Sequence, residues 1–378
     1  MRFLTAGESH GEAIIAILEG FPKGVKIEEE FINKELERRQ SGYGRGKRMD
    51  IEKDKARIVS GLRNKISLGS PICILVENKD HKIFSQKKDG LSPVFTPRPA
   101  HADLAGILKY GEKDIRNILE RASARGTVAG VCAGSICKQL LLEFKIRIAS
   151  FVLSIGSVVS LRKPKNIGEI IKKTRGSSLN CIDKEKESRM ITQIKTAERH
   201  GDSLGGVIEV WAENIPPGLG SFMHPDKRLD AKIAGYIMGI PAVKGVEIGL
   251  GFEYAKKRGS QSHDAICVPK DRSKIFCRRT NNAGGIEGGI SNGEPLVVRL
   301  AMKPISTLGV PLSSVNIMNG QKEKAPAIRS DVCAVTACGV IAENMLAIAL
   351  TECLLEKFGF DYLGEIKKNY KSYLKGIA

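Results

Sequence analysis

Two of the six histidines in this 378-residue chain lie in short polar segments bounded by glycine or proline. One is His10 in Gly-Glu-Ser-His-Gly, and the other is His101 in Arg-Pro-Ala-His-Ala-Asp. Histidine is the side chain whose ordinary pKa lies nearest neutrality. Two such rings in turn-like segments predict proton-transfer chemistry, and a simple loop hydrogen bond is the alternative for either ring.

Clustered arginines indicate that the reacting molecule is an anion. Residues 38–48, Arg-Arg-Gln-Ser-Gly-Tyr-Gly-Arg-Gly-Lys-Arg, hold five cations and three glycines. Guanidinium groups suit phosphate and carboxylate, and the glycines would let the loop close over such a group. Arg121 and Arg125 flank Ser123 and would share one face if this segment is helical. A mobile basic loop and a solvated helix face are the alternative interpretations.

Two other segments could supply backbone donors and a base. Residues 281–293 contain five glycines, whose amides could approach a phosphate or a flat ring closely, although the spacing matches no standard nucleotide loop. Lys303 directly follows a predicted strand, and Asp331 lies two residues after Arg329. Asp331 is therefore a candidate base that its neighbour keeps ionised, or else one half of a surface ion pair.

Composition narrows the class of protein. A net charge of +18 attracts anions of every kind, but only 5% of the residues are aromatic, too few to favour nucleic-acid stacking. The nine cysteines include no Cys-x-x-Cys pair, which favours separate buried thiols over disulfides or a metal site. The first residues lack an apolar signal region, and no eighteen-residue run is uninterruptedly apolar. A cytoplasmic protein with no membrane or nucleic-acid partner is predicted.

Predicted helices and strands do not alternate along the chain, so we expect an α+β fold rather than a doubly wound sheet. No Pro/Ser-rich linker interrupts the sequence, which predicts one domain over 1–378 with a basic, potentially mobile tail at 365–378. The predicted helices are 31–40, most of 114–144, 226–238 and 341–358. The predicted strands are 72–76, 151–159, 207–211 and 296–302.

Seven segments, taken in their order along the chain, resemble motifs of the chorismate synthase family. Each motif alone is modest evidence, but all seven stand in register over most of the chain. They are residues 7–11, 98–103, 121–125, 201–206, 242–249, 282–285 and 329–331.

The resemblance implies a β-α-α-β sandwich assembled as a homotetramer. It also implies a lyase that converts 5-enolpyruvylshikimate 3-phosphate to chorismate by 1,4-anti elimination of phosphate and a ring hydrogen. The family needs reduced FMN although nothing is oxidised overall. Whether NADPH reduces the FMN on the enzyme or a separate flavin reductase supplies it stays open.

The resemblance also implies roles for individual residues. His10 would donate a proton near the leaving phosphate, His101 would protonate the reduced flavin, and Asp331 would accept the ring proton together with the flavin N5. Substrate or NADP contacts would come from Ser9, Arg39, Arg45 and Arg125. FMN contacts would come from Arg121, Ala122, Ser123, Pro241, Ala242, Gly288, Lys303, Pro304, Ile305, Ser306, Thr307 and Arg329. No metal ligand is implied.

The chain departs from the family pattern at two positions. Ala100 stands where the family usually has glycine, and alanine is strained by about 1 kcal/mol or more if this position needs positive φ. Gly126 stands where the family usually has glutamate, which removes one partner for a nearby arginine. Two rival functions remain at this point: a basic nucleic-acid-binding protein, and a flavin-independent phosphate-monoester hydrolase with a histidine nucleophile.

Overall fold

A computed structural model describes residues 1–46, 53–79, 81, 93–268, 276–326 and 331–377. Its first antiparallel sheet comes from the N-terminal part of the chain. Buried and half-buried residues alternate along two of its strands, so one face packs on the interior. The strand order is β1–β2–β4–β3. The strands are β1 (Arg2–Ala6), β2 (Ala13–Glu19), β3 (Ala56–Ser60) and β4 (Ile72–Glu77).

The second antiparallel sheet has the strand order β8–β9–β7–β5–β6. Its strands are β5 (Arg147–Ile155), β6 (Val158–Val159), β7 (Gly206–Glu213), β8 (Val243–Ile248) and β9 (Leu296–Met302). Among the described residues, four two-stranded antiparallel pairs lie outside the sheets: Leu62–Arg63 with Ile66–Ser67, Ile266–Cys267 with Cys277–Arg278, Ile286–Glu287 with Ile290–Ser291, and Ser313–Val315 with Lys322–Lys324.

Two layers of helices fill the space between the sheets. Helices α1 (Glu29–Gln40) and α4 (Thr127–Leu142) pack on the first sheet, while α7 (Leu229–Met238) and α8 (Val335–Phe358) pack on the second. Helices α4 and α8 approach closely at Gly134, where a Cβ atom would lie 2.4 Å from Asn344. The architecture is therefore the predicted β-α-α-β sandwich of the α+β class.

The remaining helices cover the outside of this sandwich. Helix α5 (Ile167–Thr174) contacts the outer face of the second sheet, where Phe151 and Ile170 belong to a small separate core. Helix α6 (Lys184–Arg199) instead contributes Met190 and Ile194 to the main core. These helices are α2 (Asp103–Tyr110), α3 (Ile115–Ala122), α5 (Ile167–Thr174), α6 (Lys184–Arg199) and α9 (Leu363–Gly376), with short turns of helix at Ala124–Gly126, Pro225–Lys227, Gly251–Lys256 and Gly259–Ser262.

Helix α8 carries a buried charge network into the interior. The Glu343 carboxylate is fully buried and accepts hydrogen bonds from Arg38 at 2.8 and 2.9 Å and from Lys138 at 2.7 Å. Glu35 accepts from the same two cations, both at 2.6 Å. Burial opposes ionisation of Glu343, but the two cations outweigh it and lower its pKa. The network joins α1, α4 and α8.

Helix α8 is also long and apolar enough to cross a membrane by length and composition, but 89% of its most apolar stretch is buried inside the protein. It begins at Val335, six residues before the predicted start. Strand β9 has the predicted bounds. The predicted tail forms helix α9 instead, because Ile366 is fully buried and Tyr370 packs on Phe144.

Candidate active site

His10 lies at the tip of the hairpin that joins β1 to β2. The turn requires Gly7, whose φ is +100° and where a Cβ atom would lie 2.1 Å from the Ala13 carbonyl oxygen. The His10 Nδ1 atom lies 2.6 Å from Glu120 Oε1, and the His10 backbone N–H donates to Glu120 Oε2 at 2.7 Å. One carboxylate at the end of α3 thus holds both the ring and the backbone of His10. This arrangement is typical of a histidine that transfers protons at Nε2.

Glu120 is held ionised by the group it orients. Burial disfavours the charged carboxylate, but the hydrogen bonds from the His10 ring and backbone are stronger and lower the pKa of Glu120. The neighbouring Ser9 is 4% exposed and its hydroxyl lies 3.1 Å from that of Ser123. The turn around His10 is therefore anchored to the end of α3.

His101 belongs to a second, separately built carboxylate–histidine pair. Its Nδ1 atom lies 2.5 Å from Asp103 Oδ1, and Asp103 also accepts three hydrogen bonds from Arg98. Burial raises the pKa of Asp103, but the bonds from His101 and Arg98 outweigh it, and the net shift is downward. Arg98 in turn donates to the Thr307 hydroxyl at 3.2 Å. The motif at residues 98–103 therefore supplies both the His101 ring and the side chains that hold it in place.

Residues 303–307 close over the turn that carries His101. Lys303 Nζ and the Ser306 hydroxyl both donate to the Ala100 carbonyl, at 3.0 and 2.7 Å. Ala100 has φ +59°, so the strain expected for alanine at this position is present. The Lys303 backbone N–H donates to the carbonyl of Ala242, another alanine with positive φ, at +70°. The turn that carries His101 therefore lies beside five predicted FMN contacts: Ala242, Lys303, Ile305, Ser306 and Thr307.

Lys303 is a cation without a carboxylate partner in the part of the chain that the structure describes. Its ammonium group bonds only neutral oxygens, those of Ala100, Pro304 and Ser306. Partial burial, helped by the nearby Lys244, lowers its pKa. A half-buried ammonium group that bonds only neutral oxygens fits an anionic cofactor better than a structural ion pair.

Three predicted substrate arginines converge near the His10 turn. Arg125 donates to Asp54 at 2.6 Å and to Asn78 at 2.8 Å, and Arg39 lies 3.6 Å from the same Asp54 carboxylate. Burial, together with the positive charges of Arg45 and Arg125, lowers the pKa of Arg39 to about 10, although Asp54 opposes the shift. Buried guanidinium groups that repel one another create a strong preference for a bound anion.

Asn78 connects this cluster to the first histidine. Its side-chain NH₂ donates to the carbonyls of Glu8 and Gly11, on either side of His10, while its oxygen accepts from Arg125. The proton-transfer ring and the arginine cluster are thus parts of one hydrogen-bonded assembly. His81 adds a bond from its Nδ1 to the His10 carbonyl oxygen, at 3.1 Å.

Asp331 lies in this region and pairs with Arg45. Its carboxylate accepts from Arg45 at 2.7 Å and from the Gly46 backbone N–H at 2.6 Å. The predicted partner Arg329 lies outside the described residues. Arg45 therefore links the candidate base to the arginine cluster, because its charge also acts on Arg39.

Two expectations about the arginines are wrong. Arg121 and Arg125 do not share a helix face, because α3 ends at Ala122 and Ser123 has extended backbone with ψ 144°. Arg121 instead turns to the carbonyls of Thr5 and Gly7, while Arg125 is buried at Asp54. Arg38 belongs to the buried network with Glu343 and is not part of an anion-binding loop.

Two predicted FMN positions are less closely connected. Gly288 lies on the hairpin Ile286–Glu287 with Ile290–Ser291, which is bonded to Gly220 and Leu229. Between described residues, no hydrogen bond joins this hairpin to either histidine. Pro241 is exposed in the turn that follows α7, next to Ala242.

Comparison with known proteins agrees with this site. Residues 1–355 match the family model described as chorismate synthase. The chain belongs to the chorismate synthase family. It is a carbon–oxygen lyase of aromatic amino acid biosynthesis that forms chorismate by eliminating phosphate from 5-enolpyruvylshikimate 3-phosphate.

Relatives over the whole length support the family assignment. The chain is 49% identical to a chorismate synthase of Desulforudis audaxviator, covering 100% of this chain and 98% of that one. It is 50% identical to that of Alkaliphilus metalliredigens, covering 98% and 99%. A crystal structure of a chorismate synthase matches with a TM-score of 0.82 and 43% identity, over 100% of this chain and 98% of the other.

Three polar residues that support the chorismate synthase site were not singled out from the sequence. Glu120, Asp54 and Asn78 are far in the chain from the groups they hold, and none lies in a glycine-rich or arginine-rich motif. The sequence offered a clue only to Glu120, which directly precedes the motif at residues 121–125.

Proposed function

We propose that this chain carries out its elimination with reduced FMN bound between the two histidine sites. The observation that carries this proposal is the convergence of Arg39, Arg45 and Arg125 beside the His10 turn. The substrate bears one phosphate and two carboxylates, so a site for it must supply several cations. The family is flavin-dependent in general.

The arginine cluster would bind and orient the substrate anions. Arg39 and Arg125 are 5% and 8% exposed, so an anion that reaches them loses most of its water. In such surroundings bidentate guanidinium contacts are strong and directional. Asp54 balances only part of this charge. Ser9, in the turn around His10, would complete the contacts to the substrate.

His10 would give a proton to the departing phosphate. With Nδ1 fixed on Glu120 Oε1, the Nε2 atom on the other side of the ring is the one that would carry the transferred proton. Protonating the leaving group avoids expelling a fully charged phosphate. Glu120 is a positioning residue in this account, because it acts through the ring.

Reduced FMN would be held by Lys303 and its neighbours, together with Ala242, Ala122, Ser123 and the positively charged Arg121. When bound, the reduced flavin supplies electron density to the reacting ring and a proton acceptor at N5. His101, locked by Asp103, would keep a proton at the flavin edge. The uncompensated charge of Lys303 supports an anionic partner there.

Asp331 would move the ring proton at its carboxylate. Its Oδ2 atom is paired with Arg45 and its Oδ1 atom accepts from Gly46, so its orientation is set by the same loop that handles the substrate. Arg329 and Gly288 would be further FMN contacts. NADPH near Arg39 and Arg45, or a separate flavin reductase, would supply the reducing equivalents. We further propose a cytoplasmic homotetramer.

Single-turnover mixing of Asp331→Asn with reduced FMN and substrate tests this assignment. Asparagine keeps the size of the side chain but cannot accept a proton. Turnover should be lost while equilibrium dialysis still detects bound FMN and substrate. Product formation near the wild-type rate would remove Asp331 from the mechanism, and loss of FMN binding would make its role structural.

A flavin-independent hydrolase is the rival enzyme. It would release phosphate in the absence of flavin and without forming chorismate. Dialysis that detects no FMN uptake, with or without substrate and in either oxidation state of the flavin, would contradict the proposal.

A further inference from the structure

Cys267 and Cys277 face each other across a surface hairpin. They are directly opposed residues of the antiparallel pair Ile266–Cys267 and Cys277–Arg278. Their sulfur atoms are 2.6 Å apart, and both residues are half-buried. The expectation of separate buried thiols holds for six other cysteines but not for this pair.

We propose that Cys267 and Cys277 form a redox-active dithiol that is reversibly converted to a cross-strand disulfide. Opposed residues of an antiparallel ladder have Cα atoms about 4.5–5.5 Å apart. A disulfide spans Cα separations of about 4.4–6.8 Å. The hairpin therefore holds the two thiols at a spacing that a disulfide bond can bridge without rearranging the backbone.

The oxidant is a low-molecular-weight disulfide such as glutathione disulfide. The thiolate of one cysteine attacks it, which forms a mixed disulfide and releases one glutathione. The second cysteine attacks the protein sulfur of that mixed disulfide and releases the second glutathione. Two protein thiols lose two electrons, the glutathione disulfide gains them, and the two thiol protons end on the released glutathione molecules.

The surroundings of the hairpin favour access to such an oxidant. Ile266, Val268 and Phe276, which adjoin the two cysteines, are 67%, 69% and 59% exposed. The fully buried thiols lack this access to solvent and are also less readily ionised. Burial raises the pKa of Cys132, Cys137 and Cys338 to about 12, so these thiols resist thiolate chemistry.

The strand that carries Cys277 is bonded to the glycine-rich loop. Arg278, the next residue, pairs with Glu287 at 2.6 Å and donates to the Asn292 carbonyl at 3.2 Å. The opposite strand follows Asp264, which accepts from the backbone N–H groups of Asn282 and Ala283. A disulfide would thus join the two strands that hold the loop from both sides.

The test equilibrates the whole protein in buffers of increasing glutathione disulfide to glutathione ratio. Acid quenching, alkylation of remaining thiols and peptide mass spectrometry then give the state of each cysteine. We expect a linked 267–277 peptide pair, two hydrogens lighter than its reduced form. It should appear at a ratio about ten-fold below that needed to modify half-buried Cys73, because the second thiol acts at high effective concentration.

Two single variants extend the test. Cys267→Ser and Cys277→Ser each remove the resolving thiol, so the remaining cysteine should accumulate as a stable mixed disulfide with glutathione. The wild-type peptide map needs no variant and stands alone if either variant folds poorly. Alkylation of both wild-type cysteines in parallel with Cys73 across the series would overturn the proposal, as would a persistent mixed disulfide in the wild type.

Discussion

Arg38 and Arg39 are neighbours in the sequence and have different roles in the structure. Arg38 turns inward to Glu343, while Arg39 lies at Asp54 and Thr127 near the His10 turn. Sequence position alone predicted both as anion ligands. Adjacent residues of a helix point about a quarter-turn apart, so which arginine faces the site depends on how α1 packs.

Replacing either active-site histidine should remove most of the activity. His10→Ala and His101→Ala should each lower kcat by roughly 10²-fold or more, because each removes a positioned proton donor. His200→Ala is the matched control, since His200 is exposed at the end of α6 and should change kcat little. Steady-state assays with reduced FMN measure all three. Small, equal losses in the three variants would make the two rings structural.

Ala100→Gly should stabilise the protein. The residue has φ +59°, which costs L-amino acids about 1–2 kcal/mol and costs glycine little. The added backbone freedom of the unfolded chain offsets part of this gain, so we expect a net increase of about 0.5 kcal/mol in the free energy of unfolding. Ala102→Gly, at a right-handed position with φ −71°, should instead lower it. Chemical denaturation that gives both variants the same sign would contradict this account.

At the scale of elements, the site depends on where strands and helices end. Arg39 is near the end of α1, Glu120 near the end of α3, and Lys303 directly after β9. The run of apolar residues predicted β9 with its correct bounds, the amphipathic pattern predicted most of α8, and the terminal arginines of a polar segment predicted most of α1. It missed the break at Ser123, because a serine that caps a new turn has no periodic signal. The interruption decides where both Arg121 and Arg125 point.

Glu343→Gln should destabilise the packing of α1, α4 and α8. The change leaves Arg38 and buried Lys138 with only one of the two carboxylates that they share, and breaking a buried ion pair costs about 3–5 kcal/mol. Glu356→Gln is the control, because Glu356 pairs with Lys227 and Lys232 at the surface, where such bridges contribute about 0–1 kcal/mol. Denaturant titration should separate the two variants clearly, and equal losses would make the network energetically neutral.

The same network predicts a dependence of stability on pH. The folded protein holds the pKa of Glu343 below its ordinary value of 4.5, so its contribution is fully present above that pH. It is lost as the pH falls below 4.5, since the unfolded chain then binds the proton first. The stability difference between wild type and Glu343→Gln should therefore shrink in acid. A difference independent of pH between 3 and 6 would count against an ionised Glu343.

At the scale of the whole molecule, the sandwich brings together segments that are far apart in sequence. The His10 turn comes from the first sheet, Lys303 from the second, and Arg39 from the helices between them. The order of seven motifs predicted the family and therefore the architecture. It could not predict the partners of those motifs, because Glu120, Asp54 and Asn78 meet their groups only through tertiary packing.

Anaerobic single-turnover mixing tests the central claim most directly. The protein is mixed with 5-enolpyruvylshikimate 3-phosphate in the presence of reduced FMN, oxidised FMN or no flavin, and both products are measured. We predict that chorismate and phosphate form in equal amounts with reduced FMN, and that neither forms in the other two mixtures. Phosphate release without flavin, or without matching chorismate, would contradict the account.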